Sequence, residues 1–321
     1  MNLLVTGGAG FLGSHFVRSL LADRLPGLSG ARVTVIDNLS YAGSFANLGA
    51  VVHDKRLDFI PGDVADTALV DVVMRAHDAV VNFAAETSVD RSAAAAAGFL
   101  ESNVLGTQVL LDAARRHGVP RFVQISSDAV YGPLETGAYA EDAPLTPTSP
   151  YAATKATADM LVLAAHHTHG TSATVVRLCS IFGPGQHPEK FVPRTVTSVL
   201  TGRPAVTSDS TRDWLHVEDC SQAVARVVTG GGPGEVYHVG GSIELTERDV
   251  AGIIVAELGS PGARIEPAAV APGHDRRRAL SDEKLRTQLG WHPAVEFDTG
   301  LIGTLAWYRA NQDWWHPLLT F

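Results

Sequence analysis

Leu3-Leu4-Val5-Thr6-Gly7-Gly8-Ala9-Gly10-Phe11-Leu12-Gly13 opens the chain with a short apolar run that ends in a glycine turn, and the residues from Gly13 to Ala22 follow with apolar Phe16, Val17, Leu20 and Leu21 at helical spacing. This reads as a strand, a tight turn and a helix. The pattern returns as strands over Arg32 to Ile36, Asp58 to Pro61, Ala79 to Phe83 and Arg121 to Ser126, with helices over Thr67 to Ala76 and Asn103 to His117. Alternation of strand and helix predicts an α/β fold built on a doubly wound parallel sheet. Ala173 to Leu178 and Val236 to Val239 read as fully buried strands that extend it. The expected organisation is a first domain over residues 1–180, with an interleaved return near 209–240, and a smaller α/β lobe over 181–321 that holds the substrate. The alanine run from Ala93 to Ala97 reads as helix, since alanine is the best helix former.

A chain of 321 residues that is 45% hydrophobic can bury a sizeable core. Its net charge of −9 argues against a nucleic-acid partner, because neutralising phosphates takes clustered Lys and Arg. Only Cys179 and Cys220 are present, too few for a disulfide scaffold and without metal-site spacing, so a reducing interior is expected. The opening Met1-Asn2-Leu3-Leu4-Val5 is too short an apolar run for a signal peptide, and no stretch approaches the length of a membrane span. The expectation is a cytoplasmic protein without a membrane partner. His166, His167 and His169 read as surface histidines, with no metal expected, and Trp307, Trp314 and Trp315 as anchors of the last helix and tail.

Between the first strand and helix, Gly7, Gly10 and Gly13 permit the tight turn, and the amides of Phe11, Leu12 and Gly13 open a helix N-terminus that can receive a pyrophosphate. This placement marks a Rossmann-type dinucleotide site. Asp37-Asn38 closes the second strand where a carboxylate takes the adenosine ribose hydroxyls and repels the extra phosphate of NADP, so NAD is the expected cofactor. Asp63-Val64 is expected to face adenine, while Phe83, Ala84 and Ala85 offer close approach to the dinucleotide.

Tyr151 and Lys155 stand four apart on a helix that begins after Thr148-Ser149-Pro150, so both project from one face. An ammonium near a phenol favours the phenolate, which can take a hydroxyl proton as hydride leaves the same carbon. Ser127 is positioned to hydrogen-bond that hydroxyl, with Ser126 beside the cofactor.

These residues resemble the extended short-chain dehydrogenase/reductase superfamily and, within it, the nucleotide-sugar epimerases and dehydratases, closest in pattern to the dTDP-glucose 4,6-dehydratases. The resemblance covers nearly the whole chain. Its marks are Gly7 to Gly13, Asn82 to Thr87 with Val89-Asp90-Arg91-Ser92, Asp128 with Val130-Tyr131-Gly132, Tyr151 with Lys155, Pro188-Glu189-Lys190, Arg212 to Val217 and Gly273 to Arg277. The resemblance implies that NAD oxidises a sugar hydroxyl at C4 and later returns the hydride. It makes Tyr151 the C4 base, Lys155 the group that lowers its pKa and holds the nicotinamide ribose, Ser127 the orienter and Asp128 the acid for the departing C6 hydroxyl. Glu86, Ser88, Ser180, Lys190, Arg212, His274 and Arg276 become substrate contacts, with Arg212 as a pyrophosphate partner. It also implies a homodimer formed through two long helices, Asn103 to His117 and Tyr151 to His166.

The chain departs from that pattern where the dehydratases carry a glutamate that takes the C5 proton, for here stands Ala129. General-base catalysis supplies about a hundredfold to ten-thousandfold, so elimination needs another base, with Glu86, His187 or a water as candidates. Ser180 replaces a common asparagine, and the stretch Ala205 to Thr211 is short where relatives carry a Gly-Asp-Gly turn. The leading expectation is therefore an NAD-dependent nucleotide-sugar 4-epimerase on a 4,6-dehydratase-like scaffold. The alternative is an NDP-sugar 4,6-dehydratase with a relocated C5 base, and a third reading is a noncatalytic NAD-binding sensor.

Overall fold

The computed structural model describes residues 1–259 and 262–319. Seven parallel strands form the main sheet: β1 (Asn2–Thr6), β2 (Arg32–Asp37), β3 (Leu57–Pro61), β4 (Ala79–Asn82), β5 (Phe122–Ser127), β6 (Ala173–Leu178) and, after three strands of the other lobe, β10 (Val236–Val239). Their order is β10-β6-β5-β4-β1-β2-β3, so the chain runs outward from β1 to one edge and then returns to build toward the other. The reversal lies between β1 and β4, and a crevice forms at the carboxyl ends of strands on either side of such a point. Leu3, Val5, Val33, Val35, Val81 and Val123 pack one sheet face against helices, while Leu4, Ile36, Val80 and Phe122 pack the other. Burial on both faces explains why these strands read as continuous apolar runs.

The smaller lobe is built on β7 (Ser180–Phe182), β9 (Thr211–His216), β11 (Ile243–Thr246) and β13 (Arg277–Arg278), with β9 central, while β8 (Ala205–Thr207) pairs in parallel with β12 (Ile265–Pro267). Its own core gathers Phe182, Val192, Trp214, Ile254, Leu301, Tyr308 and Trp315. Trp315 is buried with its indole N–H donating to the Tyr308 carbonyl, so the C-terminal tryptophans do anchor the last helices.

Two local expectations are corrected. The run Ala93 to Ala97 is not one helix: the helix Val89–Ala94 ends at Ala95, whose backbone is extended, and a new turn begins at Ala97. Glu86 and Thr154 explain a second shift, for Asn103 holds both, and the chain before the helix Gly106–His117 adopts a π-helical stretch over Leu100–Leu105 that accommodates this. Among the described residues, no helix is long and apolar enough to cross a membrane.

Candidate active site

The crevice is a cavity of about 650 Å³ that runs from the glycine turn, past the end of β5, into the smaller lobe. Gly7 holds φ +67°, and a Cβ there would sit 2.6 Å from the Ala84 backbone nitrogen; a Cβ on Gly13 would strike the Gly7 carbonyl oxygen. The turn therefore admits only glycine at both places. No side chain caps the helix Phe11–Leu21, whose first amides open onto the cavity. Asp37 lies at the end of β2, its two oxygens accepting the Ala9 and Leu39 amides at 2.8 Å, and burial pushes its carboxyl pKa up against those hydrogen bonds. A cradle closed to any Cβ, uncapped amides and a fixed carboxylate fit a dinucleotide. Phe11, Leu12, Asn38, Val64, Phe83, Ala84 and Ala85 line it as expected. Asp63 stands between the lining residues Gly62 and Val64, its carboxylate accepting from the Asn38 side chain and from the Ala65 amide.

The redox group sits at the far end of β5. Ser127 caps the turn Asp128–Tyr131 by accepting the Ala129 amide at 3.2 Å and donates to Asp128 at 3.2 Å. The helix Pro150–His169 begins where sequence predicts, with Ser149 accepting from Ala152 and Pro150 in the first turn, and it brings Tyr151 to Ser127. Burial raises the Tyr151 pKa, and the Ser127 hydrogen bond opposes it. Lys155 is buried on the same helix, and its ammonium donates to the Ile125 carbonyl at 2.6 Å. Loss of solvation brings its pKa down to about 8, with Asp159 opposing. Ser126 lines the cavity between these groups and the cradle.

Asp128 is 2% exposed and pairs with Arg278, whose Nε stands 3.1 Å from Oδ1, leaving Oδ2 without a hydrogen-bond partner. Arg278 donates in turn to Asp275 at 3.0 Å, and Thr148 holds the other Asp275 oxygen. Arg278 was not among the sequence candidates. It reaches Asp128 because β13 pairs with β9, and the Arg276-Arg277-Arg278 run was the one available signal. Arg276, the expected contact, is exposed beside an adjoining depression that shares Ala268, Ala269, Ala271 and His274 with the cavity.

Glu86, Ser88, Ser180, Lys190, Arg212 and His274 all line the cavity. Glu86 has a buried Oε2 with no hydrogen-bond partner, and burial raises its pKa. Ser88 caps the helix Val89–Ala94, Lys190 donates to the Thr87 carbonyl at 2.7 Å, and His274 faces Asp90 at 2.9 Å. Burial keeps the His187 pKa low. Arg212 is 6% exposed, and its hydrogen bonds go only to the Thr211 and Arg276 carbonyls, so its charge has no carboxylate partner among the described residues. Burial, reinforced by Arg278, brings its pKa down to about 10. A buried guanidinium satisfied only by carbonyls is a receptor for an anion such as a pyrophosphate. Among the described residues no cluster could hold a metal ion.

The GDP-mannose 4,6 dehydratase family model matches residues 4–304. The dTDP-glucose 4,6-dehydratase of Streptomyces niveus is 47% identical over 321 residues, covering 99% of this chain and 96% of that protein, and its namesake from Streptomyces antibioticus is 49% identical over 322 residues, covering 99% and 95%. The crystal structure of DesIV, a dTDP-glucose 4,6-dehydratase from Streptomyces venezuelae with NAD bound, superposes with a TM-score of 0.97 at 46% identity, covering 99% of this chain and all of that one. A UDP-glucuronic acid 4-epimerase from Bacillus cereus in complex with UDP-glucuronic acid and NAD reaches 0.89 at 25% identity, covering 97% and 99%.

Proposed function

This chain belongs to the GDP-mannose 4,6 dehydratase family of NAD-dependent enzymes, and we propose that its reaction is the 4,6-dehydration of a nucleotide sugar. That reading ranks the dehydratase above the 4-epimerase expected from sequence, since the relatives near half identity are named dehydratases and the epimerase neighbour is distant. The observation that carries it is Asp128: inversion at C4 has no use for a buried carboxylate beside Ser127 and Tyr151, whereas elimination does.

NAD, when bound in the cradle, would accept the hydride from C4 and, after water has left, deliver it to C6. Ser127 orients the C4 hydroxyl and Tyr151 removes its proton, while Lys155, fixed on Ile125, places a positive charge on the same helix face. The C4 ketone acidifies the C5 proton. As the carboxylate of an ion pair, Asp128 is an acceptor, and its unpartnered Oδ2 takes that proton in place of the glutamate missing at Ala129. The proton then passes to the C6 hydroxyl, which departs as water, and Asp128 returns to its carboxylate form. One residue thus does in sequence what two do in the relatives' pattern. C5 afterwards takes its proton from solvent.

A second reading, C4 epimerisation, is favoured by Ala129 alone, because the Ser127–Tyr151–Lys155 set suffices for it. Turnover of a nucleotide-sugar panel with NAD in deuterated water separates the two. Loss of water with deuterium at C5 is expected, and an isomer of unchanged mass with inverted C4 would overturn the dehydratase reading.

The exposed apolar residues Leu100, Leu105 and Met160, on the Leu100–Leu105 stretch and the Pro150–His169 helix, support a homodimer through these elements. Light scattering at micromolar concentration tests it, with a strict monomer as the contrary result.

A further inference from the structure

The loop that leaves β2 is tied down at both ends. Asp37 accepts the Leu39 amide at 2.8 Å and holds the near end. At the far end Ala9, in the glycine turn, accepts the Ser44 amide at 3.0 Å and the Asn47 side-chain amide at 2.8 Å. Between these ties the Gly43 amide donates to the Ser40 carbonyl at 2.9 Å, which places Tyr41 at the tip of a tight turn. Leu39 has φ +53°, a left-handed backbone that a residue other than glycine keeps only where its surroundings hold it.

Tyr41 supplies that hold. Its hydroxyl donates to Glu189 Oε1 at 2.8 Å, the guanidinium carbon of Arg91 stands 3.5 Å from the centre of its ring, and the His187 ring meets it edge-on with 5.4 Å between centroids. Arg91 belongs to the helix Val89–Ala94 after β4, whereas His187 and Glu189 precede the helix Phe191–Leu200 of the smaller lobe. Three segments far apart in sequence thus close on one phenol ring. Ser40, Ala42, Asp90 and Glu189 line the cavity, while the Arg91 side chain is half exposed, so the junction has the cavity on one side and solvent on the other. A dinucleotide that runs from the glycine cradle to Tyr151 crosses the carboxyl ends of β1 and β4, between the loop after β2 and the helix after β4. Its path lies beneath the junction.

A cofactor that recovers its hydride in every cycle has no need to leave between turnovers. We propose that Tyr41, Arg91 and Glu189 form a strap that closes over NAD and must open for NAD to enter or leave, so that the strap sets the rate of cofactor exchange. The strap serves dehydration and epimerisation alike, since both end with NAD in its starting form.

Association and release of radiolabelled NAD, the latter chased with unlabelled NAD, test it. Tyr41→Ala removes the hydrogen bond to a carboxylate together with the cation–π contact and should speed both steps about tenfold or more, because a closed strap bars entry as well as exit. Tyr41→Phe keeps the ring and should fall between the variant and the wild type. Arg91 also faces Glu86 at 3.8 Å, so turnover is compared in the Tyr41 variants, where kcat at saturating NAD should stay at the wild-type value, with circular dichroism as the folding control. Wild-type exchange in folded Tyr41→Ala overturns the strap. Faster release with unaltered association would make Tyr41 an ordinary NAD contact, and a fall in kcat at saturating NAD with unaltered exchange would make it a sugar contact; either result overturns it too.

Discussion

Arg278 holds its guanidinium 3.1 Å from the Asp128 carboxylate, joining β13 of the smaller lobe to the end of β5. Removing one partner of such a pair leaves the other charge buried and alone, which costs about 3–5 kcal/mol. Arg278→Ala should therefore destabilise by about that amount in urea denaturation. Asp128→Ala in the same background should cost much less than it does alone. Strict additivity of the two would show that the pair is not coupled.

Ala129 is 3% exposed and follows Asp128 at the position where the family pattern carries a glutamate. Ala129→Glu should relieve Asp128 of its double duty and raise the rate of 4-keto-6-deoxy sugar formation by about a hundredfold or more, the contribution of a dedicated base. The check is kcat for that product at matched NAD occupancy. An unchanged rate in a folded, NAD-binding variant would mean that C5 deprotonation is not slow here.

Gly13→Ala would push a methyl group into the Gly7 carbonyl oxygen inside the dinucleotide cradle. Overpacking of that kind costs about 1–3 kcal/mol, and because the turn itself must shift, NAD affinity should fall by about tenfold to a hundredfold. Titration calorimetry with NAD measures this. Undiminished affinity would mean that the cradle is not where the dinucleotide binds.

Asp213 is buried at the lobe junction, its Oδ2 accepting the Gly241 amide at 2.8 Å, and loss of solvation raises its pKa to about 7 despite that bond. A carboxyl with a folded pKa above its unfolded value contributes stability that is fully present below the unfolded pKa and lost as pH rises through the folded one. Relative to Asp213→Asn, the wild type should lose about 2–3 kcal/mol between pH 5 and pH 8, from the Asp reference value and the raised one. Parallel pH profiles of wild type and variant would contradict this.

The dinucleotide half of the site was legible because its logic is local. Gly7 to Gly13, Asp37 and the Tyr151–Lys155 spacing each belong to one turn, one strand end or one helix face, and period and punctuation suffice to read them. Arg278 was not legible, since it acquires meaning only from a strand partner, β13 on β9. Asp63 is harder to read, as a carboxylate after a strand can face a ligand or cap its own turn, and here one of its oxygens holds the Ala65 amide. The alanine run misled because propensity is a weak prior, and the chain needs a bend at Ala95.

Strand β10 belongs to the main sheet, yet it emerges from the ribosome only after β7, β8 and β9 of the other lobe. Throughout that interval the outer edge of β6 has no neighbour, and an open edge of apolar strand is a template for a second chain. A gene fragment ending near residue 180 would keep the glycine turn, Asp37 and the Tyr151–Lys155 helix and still yield an incomplete sheet. The two lobes are thus a single inheritance: neither can be lent to another protein by recombination at their boundary without taking part of the other along.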